Sequence, residues 1–295
     1  MVPKKDLVSI ITINYDSLTS TLELIESLSH SENRNFETIV IDNYSSDDPT
    51  PVLSKINGIR YFRSSKNLGF AGGNNLGIRE AIGEYLLFVN NDTEFTPSLI
   101  DDLIETFKDN PNAGLISPKI VYYNTSIIQF AGYTEISNIT GRNKALGNKE
   151  IDDDTYAGVV KTPYAHGAAM MTKRSVLDKS GYMPEIYFLY YEELDWCEQI
   201  KKVGFDILVN LNTHILHKES MSVGKNSPLK TYFLTRNRIL FFLRNKDTLA
   251  KTVFLMYFFL LVTPMKSMVA AVKGEWRQLR AFWKGIIWHF IKSHE

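Results

Sequence analysis

The sequence is poor in cysteine, balanced in charge and short of long apolar runs, and each shortage closes off a class of protein. One cysteine in 295 residues, Cys197, rules out an intramolecular disulfide and any zinc site built from a cysteine cluster, and it suits a reducing compartment. The formal net charge is +0, so nothing draws the whole chain toward nucleic acid, and no nucleic-acid partner is expected. Neither an internal repeat nor a low-complexity tract is visible. Met1 to Asp6 leads directly into a strand-like segment without the separate apolar region of a secretory signal, so a cytoplasmic location is expected. The longest apolar stretch, Thr252 to Met265, is 14 residues, below the roughly 20 that span a bilayer, and Pro264 interrupts it. A helix lying on a membrane surface is expected there rather than a span.

What is present is enough apolar residue, 44%, to bury a large core, with 22% charged residues to keep it in solution. The charge is unevenly placed. From Lys246 onward there are 8 Lys/Arg against 3 Asp/Glu, which makes the tail +5 and the remainder −5. Trp276, Arg280, Trp283, Lys284, Trp288 and Lys292 mix indoles with cations in that tail, as an interfacial helix on an anionic lipid surface requires. A dimerisation or core-capping element is the alternative, so a homodimer stays open.

Strand and helix signals alternate in the first half. Val8 to Ile13 and Thr38 to Ile41 are β-branched runs of strand length, and Leu18, Leu22, Ile25 and Leu28 recur between them at helical spacing. Ile59 to Phe62 and Tyr85 to Val89 read as further strands, and Asn74 to Ile82 as a helix. Thr96 followed by Pro97 predicts an N-cap and first turn for a helix running to about Asp109. Short β-like pieces follow at Leu115 to Val121 and Ile127 to Phe130, then a polar loop region through about Asp154. Tyr190 to Val203 and Pro228 to Arg244 read as helices around a strand at Phe205 to Val209. Such alternation predicts a mainly parallel sheet flanked by helices, with amphipathic helices at the carboxyl end.

In open α/β sheets ligands bind beyond the carboxyl ends of the strands. Those positions here are Asn14-Tyr15-Asp16-Ser17, Asp42-Asn43-Tyr44-Ser45-Ser46-Asp47 and Asn90-Asn91-Asp92. Asn, Asp and Ser are ordinary turn formers, but three such turns on one edge suit a base, a ribose and a metal-bound pyrophosphate. The segment Asn67 to Gly77 is glycine-rich and opens a helix, where backbone can approach a ligand closely and negative charge is favoured. Its spacing is neither G-x-G-x-x-G nor a P-loop, which argues against a dehydrogenase.

Taken together, these pieces resemble the family 2 inverting glycosyltransferases, in particular their bacterial rhamnosyltransferase-like branch. The matching segments are Val8 to Tyr15, Val40 to Asp47, Asn67 to Asn75, Phe88 to Asp92, Gly167 to Met170, Tyr191 to Cys197, His217 with Ser220 and Gly224, and Arg236-Asn237. The resemblance implies a GT-A-type, Rossmann-like catalytic domain over residues 1–245, and it leaves 246–295 as a membrane-associating or oligomerising segment. It implies that Asp42 reads a pyrimidine base, with Asn14 and Tyr15 in the same pocket. Asn67, Gly69, Asn74, Asn90, Asn91 and Arg236 would complete the donor contacts. Asp92 and His217 would hold Mg²⁺ or Mn²⁺ against the donor diphosphate. Inversion needs one general base, and the Glu192-Glu193-Leu194-Asp195 cluster offers Glu193 or Asp195. Two residues apart on a helix they point roughly 200° apart, so both are not expected to face one acceptor.

The expected activity is transfer of a single sugar from a nucleotide-sugar donor to a cell-surface glycan or lipid-linked oligosaccharide. L-rhamnose from dTDP-L-rhamnose is the leading guess, carried out at the inner face of the cell membrane. Another hexosyltransferase using a UDP-sugar, a non-catalytic nucleotide-sugar or glycan-binding relative, and a nucleotidyltransferase are the competing readings.

Overall fold

The computed structural model describes residues 3–153, 155–218 and 227–291. Asp154, Ser220, Gly224 and Lys292, which the sequence reading used, lie outside the described residues. The chain divides into two compact units, the first made of Met1–Thr134, Ala145–Phe188 and Glu192–Glu219, the second of Glu135–Lys144, Leu189–Tyr191 and Ser220–Glu295.

The first unit is built on an open sheet. β1 (Lys4–Asn14), β2 (Phe36–Asp42), β3 (Ile59–Arg63) and β4 (Gly83–Asn90) are mutually parallel in the order β3-β2-β1-β4. Their central residues, Ile10, Ile11, Ile39, Val40, Leu86 and Leu87, are fully buried, which is why these strands read as unbroken apolar runs. The helix α1 (Leu18–Leu28) joins β1 to β2, and α2 (Thr50–Leu53) precedes β3. α3 (Gly69–Glu80) then returns the chain to β4. α3 starts five residues before the expected Asn74. Gly73 and Gly77 explain its fit, because a Cβ there would lie 2.7 Å from Ile13 Cδ1 and 2.4 Å from Ile11 Cγ2 of β1. These two glycines let the helix sit directly on the sheet.

After the short β5 (Thr93–Phe95), α4 (Leu99–Asp109) begins two residues later than the expected Pro97 start. Ser98, not Thr96, is its N-cap, since the Thr96 hydroxyl is already donating to the His214 carbonyl at 2.8 Å. β6 (Ala113–Tyr122) carries the antiparallel β7 (Ile128–Phe130), and β8 (Val159–Lys161) follows. β9 (Ala169–Lys173) inserts antiparallel between β4 and β6, a strand the sequence reading did not anticipate. α5 (Arg174–Ser180) and α6 (Glu192–Lys202) precede β10 (Asp206–His217), which is parallel to β6 and antiparallel to β5 and β8. β10 runs well past the expected end at Val209. A register shift between Asn210 and His214 carries it through the polar residues that hid the continuation. Because β9 opposes both neighbours, β4, β6 and β10 share one direction, and Asn14, Asp42, Asn90 and His217 all end strands on the same edge.

The second unit contains α7 (Pro228–Asn245), α8 (Thr248–Tyr257), α9 (Thr263–Val272) and α10 (Trp276–Ile291). Pro264 does not break the chain as expected. A π-helical turn over Phe258–Val262 links α8 to α9 and absorbs the missing amide, so Thr248–Val272 is one helical stretch of 25 residues. That stretch is long and apolar enough to cross a membrane by length and composition. One of its faces is committed to protein: Phe254 stacks on Phe242 at 3.9 Å, and Phe258 meets Phe282 at 6.1 Å. The other face is open, with Leu260 66% and Val272 83% exposed. α10 packs on α7 through Gly285, where a Cβ would come within 2.8 Å of the Tyr232 carbonyl oxygen.

Candidate active site

Asn14 and Asp42 are opposite one another at the ends of β1 and β2 and share a hydrogen bond of 2.8 Å from Asn14 Nδ2 to Asp42 Oδ1. Asp42 is 0% exposed, accepts from the Ser45 hydroxyl at 2.5 Å and lies 3.4 Å from Arg63 Nε. Its carboxylate therefore organises the turn from within. The surfaces this turn presents to solvent are Tyr15, 44% exposed, and Tyr44, 54% exposed. Tyr44 was not among the expected donor residues. It stands in the left-handed backbone region at φ 71°, as a residue in a tight turn does.

The glycine-rich segment is clamped by Asn43, whose amide donates to the Gly69 carbonyl at 3.0 Å and accepts from the Leu68 N–H at 2.9 Å. Asn67 accepts from the Gly69 N–H at 2.9 Å. Gly69 has φ +70°, and a Cβ on it would meet the Phe188 carbonyl oxygen at 2.1 Å, so this glycine serves a backbone crossing. Asn74 is buried and donates to the Phe70 carbonyl at 3.1 Å. Asn91 donates to Thr21 Oγ1 at 2.9 Å, and the Asn90 carbonyl accepts from Thr93 Oγ1 at 2.7 Å. Both asparagines thus shape the turn that presents Asp92.

Asp92 and His217 meet because β5 and β10 pair, with Thr93 opposite His217. His217 Nε2 stands 3.2 Å from Asp92 Oδ1, and both residues are buried. On its other side His217 Nδ1 lies 2.6 Å from Gln129 Oε1. An amide oxygen only accepts, so Nδ1 carries the hydrogen and Nε2 is the nitrogen turned to Asp92. A lone pair there beside a carboxylate oxygen is a donor set that suits a divalent cation, with the remaining positions left to ligand oxygens. Among the described residues no group of three or more His, Cys, Asp or Glu side chains stands ready to hold a metal.

A row of rings leads from this pair toward α6. The His166 ring is 6.3 Å from that of His217, and Tyr133 stacks on His166 at 6.1 Å with an interplanar angle of 10°. Burial, with the His217 imidazole beside it, pushes the His166 imidazole down to about 3, so it is neutral at physiological pH. Its Nδ1 accepts from the Ala168 N–H at 3.1 Å, which leaves Nε2–H as the donor. Burial likewise raises the Tyr133 phenol, and the charge of Glu193 adds to the rise. Glu193 is therefore close to the far end of the row.

Glu193 and Asp195 both sit in the first turn of α6, where the helix dipole favours carboxylates. Their surroundings separate them. Asp195 is 1% exposed and has both oxygens engaged, by the Tyr187 hydroxyl at 2.6 Å and by Gln199 Nε2 at 2.7 Å. Glu193 is partly exposed, and partial burial pushes its carboxyl up to about 7 against the opposing pull of a hydrogen bond from its own backbone N–H. Ahead of α6, Phe188, Tyr190 and Tyr191 all have positive φ, a strained approach of the kind found at functional sites. Arg236 belongs to the second unit, where it is buried with its guanidinium 4.8 Å from the Trp288 ring and 4.9 Å from that of Phe233.

Residues 9–181 match the sequence model of the family described as Glycosyl transferase family 2. The low-salt glycan biosynthesis hexosyltransferase Agl10 of Haloferax volcanii is 29% identical over 242 residues, covering 80% of this chain and 75% of that protein. The N-acetylglucosaminyl-diphospho-decaprenol L-rhamnosyltransferase of Mycobacterium tuberculosis is 21% identical over 242 residues, covering 75% and 79%. Among solved structures, the mannosyltransferase PcManGT from Pyrobaculum calidifontis, in complex with GDP-Man and Mn²⁺, superposes with a TM-score of 0.57 at 14% identity, covering 98% of this chain and 88% of that one.

Proposed function

Because the chain belongs to glycosyl transferase family 2, we propose that it transfers one sugar with inversion, dTDP-L-rhamnose being the first donor to test, onto a cell-surface glycan or a lipid-linked oligosaccharide. One observation carries the reading: from the Asp92–His217 pair a row of rings runs through His166 to Tyr133, whose phenol feels the charge of Glu193, a carboxyl pushed up to about 7. A general base works best with a pKa near the operating pH, and Glu193 meets that condition where Asp195, with both oxygens occupied, does not.

In the reaction so assigned, the Glu193 carboxylate takes the proton of the acceptor hydroxyl as that oxygen bonds to the anomeric carbon. The bond from that carbon to the diphosphate oxygen breaks on the opposite face, and the nucleoside diphosphate departs with the electron pair. Asp92 and His217 are the residues that would hold Mg²⁺ or Mn²⁺, and the cation would supply charge neutralisation of the leaving diphosphate. Tyr15 and Tyr44 offer ring faces for the base, while Asp42 holds their turn in shape through Asn14, Ser45 and Arg63. The neutral His166 keeps a donor N–H in the row without adding positive charge beside the cation site.

The second unit fits association with a membrane face. Its 25-residue helix has one side packed on Phe242 and Phe282, which a span would strip away, and presents the other side with Trp276 and Trp283 exposed nearby in sequence. An acceptor anchored in that membrane follows, in keeping with the decaprenol-linked substrate named for the mycobacterial relative. The hexosyltransferase name of the haloarchaeal relative keeps a UDP-hexose as the second donor reading.

The test is release of nucleoside diphosphate across a panel of dTDP-, UDP- and GDP-sugars with and without EDTA. Turnover of dTDP-L-rhamnose that EDTA abolishes is the expected result. Turnover of a UDP-hexose instead would move the donor assignment, and silence across the panel with no donor binding by calorimetry would overturn the catalytic reading.

A further inference from the structure

The second unit holds a cavity of about 510 Å³, within the size range of small-molecule sites, to which the proposed transfer reaction gives no task. Its lining is amphiphilic. Leu234 of α7, Met265 and Val269 of α9 and Phe282 of α10 give it apolar walls. Lys230, Lys266 and Lys273 also line it, against the single acidic residue Glu275, and the Lys230 ammonium stands 5.8 Å from the centre of the Tyr190 ring. Lys266 and Val269 of α9 and its C-cap residue Lys273 fall at i, i+3 and i+7 and so share one face. Among the described residues no salt bridge engages any of the three lysines. The Lys266 ammonium lies 5.1 Å from the centre of the Phe282 ring, where it is attracted to the ring face yet has no anion. Partial desolvation, with the charges of Arg238 and Arg142 added to it, holds the ammonium below the usual lysine value. The rim of the cavity continues into the open apolar face of α9, where Met265 is 61% and Val269 43% exposed.

We propose that this cavity binds the headgroup of an anionic membrane phospholipid, its phosphate among Lys230, Lys266 and Lys273 and its acyl chains along Met265, Val269 and Phe282. The inference rests on the membrane-face reading of the second unit and adds a discrete, stoichiometric lipid site to it. Apolar walls joined to three cations match an amphiphilic phosphodiester better than a free anion, whose hydration the walls cannot replace. Each lysine near a lipid phosphate contributes about 1 kcal/mol, roughly fivefold in affinity.

The experiment is calorimetry of the full chain with short-chain phosphatidylglycerol below its micelle concentration, beside short-chain phosphatidylcholine and inorganic phosphate. Saturable one-to-one binding of phosphatidylglycerol is expected, with both comparators much weaker. The Lys266→Gln/Lys273→Gln variant should lose roughly 25-fold in affinity, while Lys251→Gln/Lys284→Gln, which removes as much charge outside the cavity, should bind like the parent. Circular dichroism and donor turnover establish that both variants are folded. No saturable binding, equal binding of inorganic phosphate, or equal losses in the two variants would each overturn the proposal. Cosedimentation with phosphatidylglycerol vesicles judges the membrane reading separately: vesicle binding without the short-chain lipid site sinks only the cavity, and short-chain binding without vesicle binding sinks only the membrane reading.

Discussion

Glu193 is asked to do two things that conflict. A carboxyl whose folded-state value is raised from 4.5 to about 7 binds its proton more tightly in the native protein than in the unfolded chain. Its contribution to stability is therefore greatest below about 4.5 and is lost as pH rises through 7. Catalysis needs the opposite state, so kcat/KM should rise with pH along an acid limb centred near 7. Glu193→Gln is expected to lower turnover by roughly 10² to 10⁴-fold and to raise the melting temperature at pH 8, where the parent must keep a charge in a half-buried place. An unchanged acid limb in that variant would assign the base elsewhere. Gln129 acts through His217 by fixing its Nδ1–H, and Gln129→Leu should weaken Mn²⁺ binding in the presence of nucleoside diphosphate by roughly 10 to 100-fold, read by titration of the Mn²⁺ paramagnetic signal. At this scale the sequence revealed these positions well, because Asn14 and Asp42 directly follow apolar runs and Asp92 stands in the turn just beyond another. Gln129, Tyr133 and His166 were invisible. They come from loops and a short edge strand with no periodicity, and only the fold brings them beside His217. The His166-Gly167 junction, next to the recognised Gly167 to Met170 segment, was the one available signal.

Elements whose burial is uniform were the legible ones. The centres of β1, β2 and β4 are mostly apolar because both faces are covered, whereas β9 is five residues long and β10 is crossed by Asn210, Asn212 and Thr213, so neither announces its length. The helix through Pro264 shows the limit of a local rule: proline removes an amide, but widening the preceding turn to Phe258–Val262 lets the helix continue. Close contacts between elements are similarly set by single glycines. Gly285→Val would press its side chain toward the Tyr232 carbonyl and the Arg236 amide, at 2.8 and 3.1 Å from its Cβ. Separation of α7 from α10 is the only relief, at a cost of about 1–3 kcal/mol. Faster proteolysis within residues 228–291, with the first unit left intact, is the outcome that checks it.

For the molecule as a whole, overall charge and composition concealed an internal division, since a neutral total sums a −5 remainder and a +5 tail. Those sums suggested a surface-seeking end; they did not show that Glu135–Lys144 and Leu189–Tyr191 would join it from the middle of the chain. The lone cysteine bears on the whole molecule in another way. Cys197 lies one turn after Glu193 on α6, fully buried, with its sulfur accepting from the Ala165 N–H at 3.3 Å and its thiol pushed up to about 12 by burial. In the closed protein it is unreactive toward alkylating agents. With no second thiol in the sequence, the rate at which a maleimide captures this one is a clock for the opening of α6, and a donor that orders Glu193's surroundings should slow it.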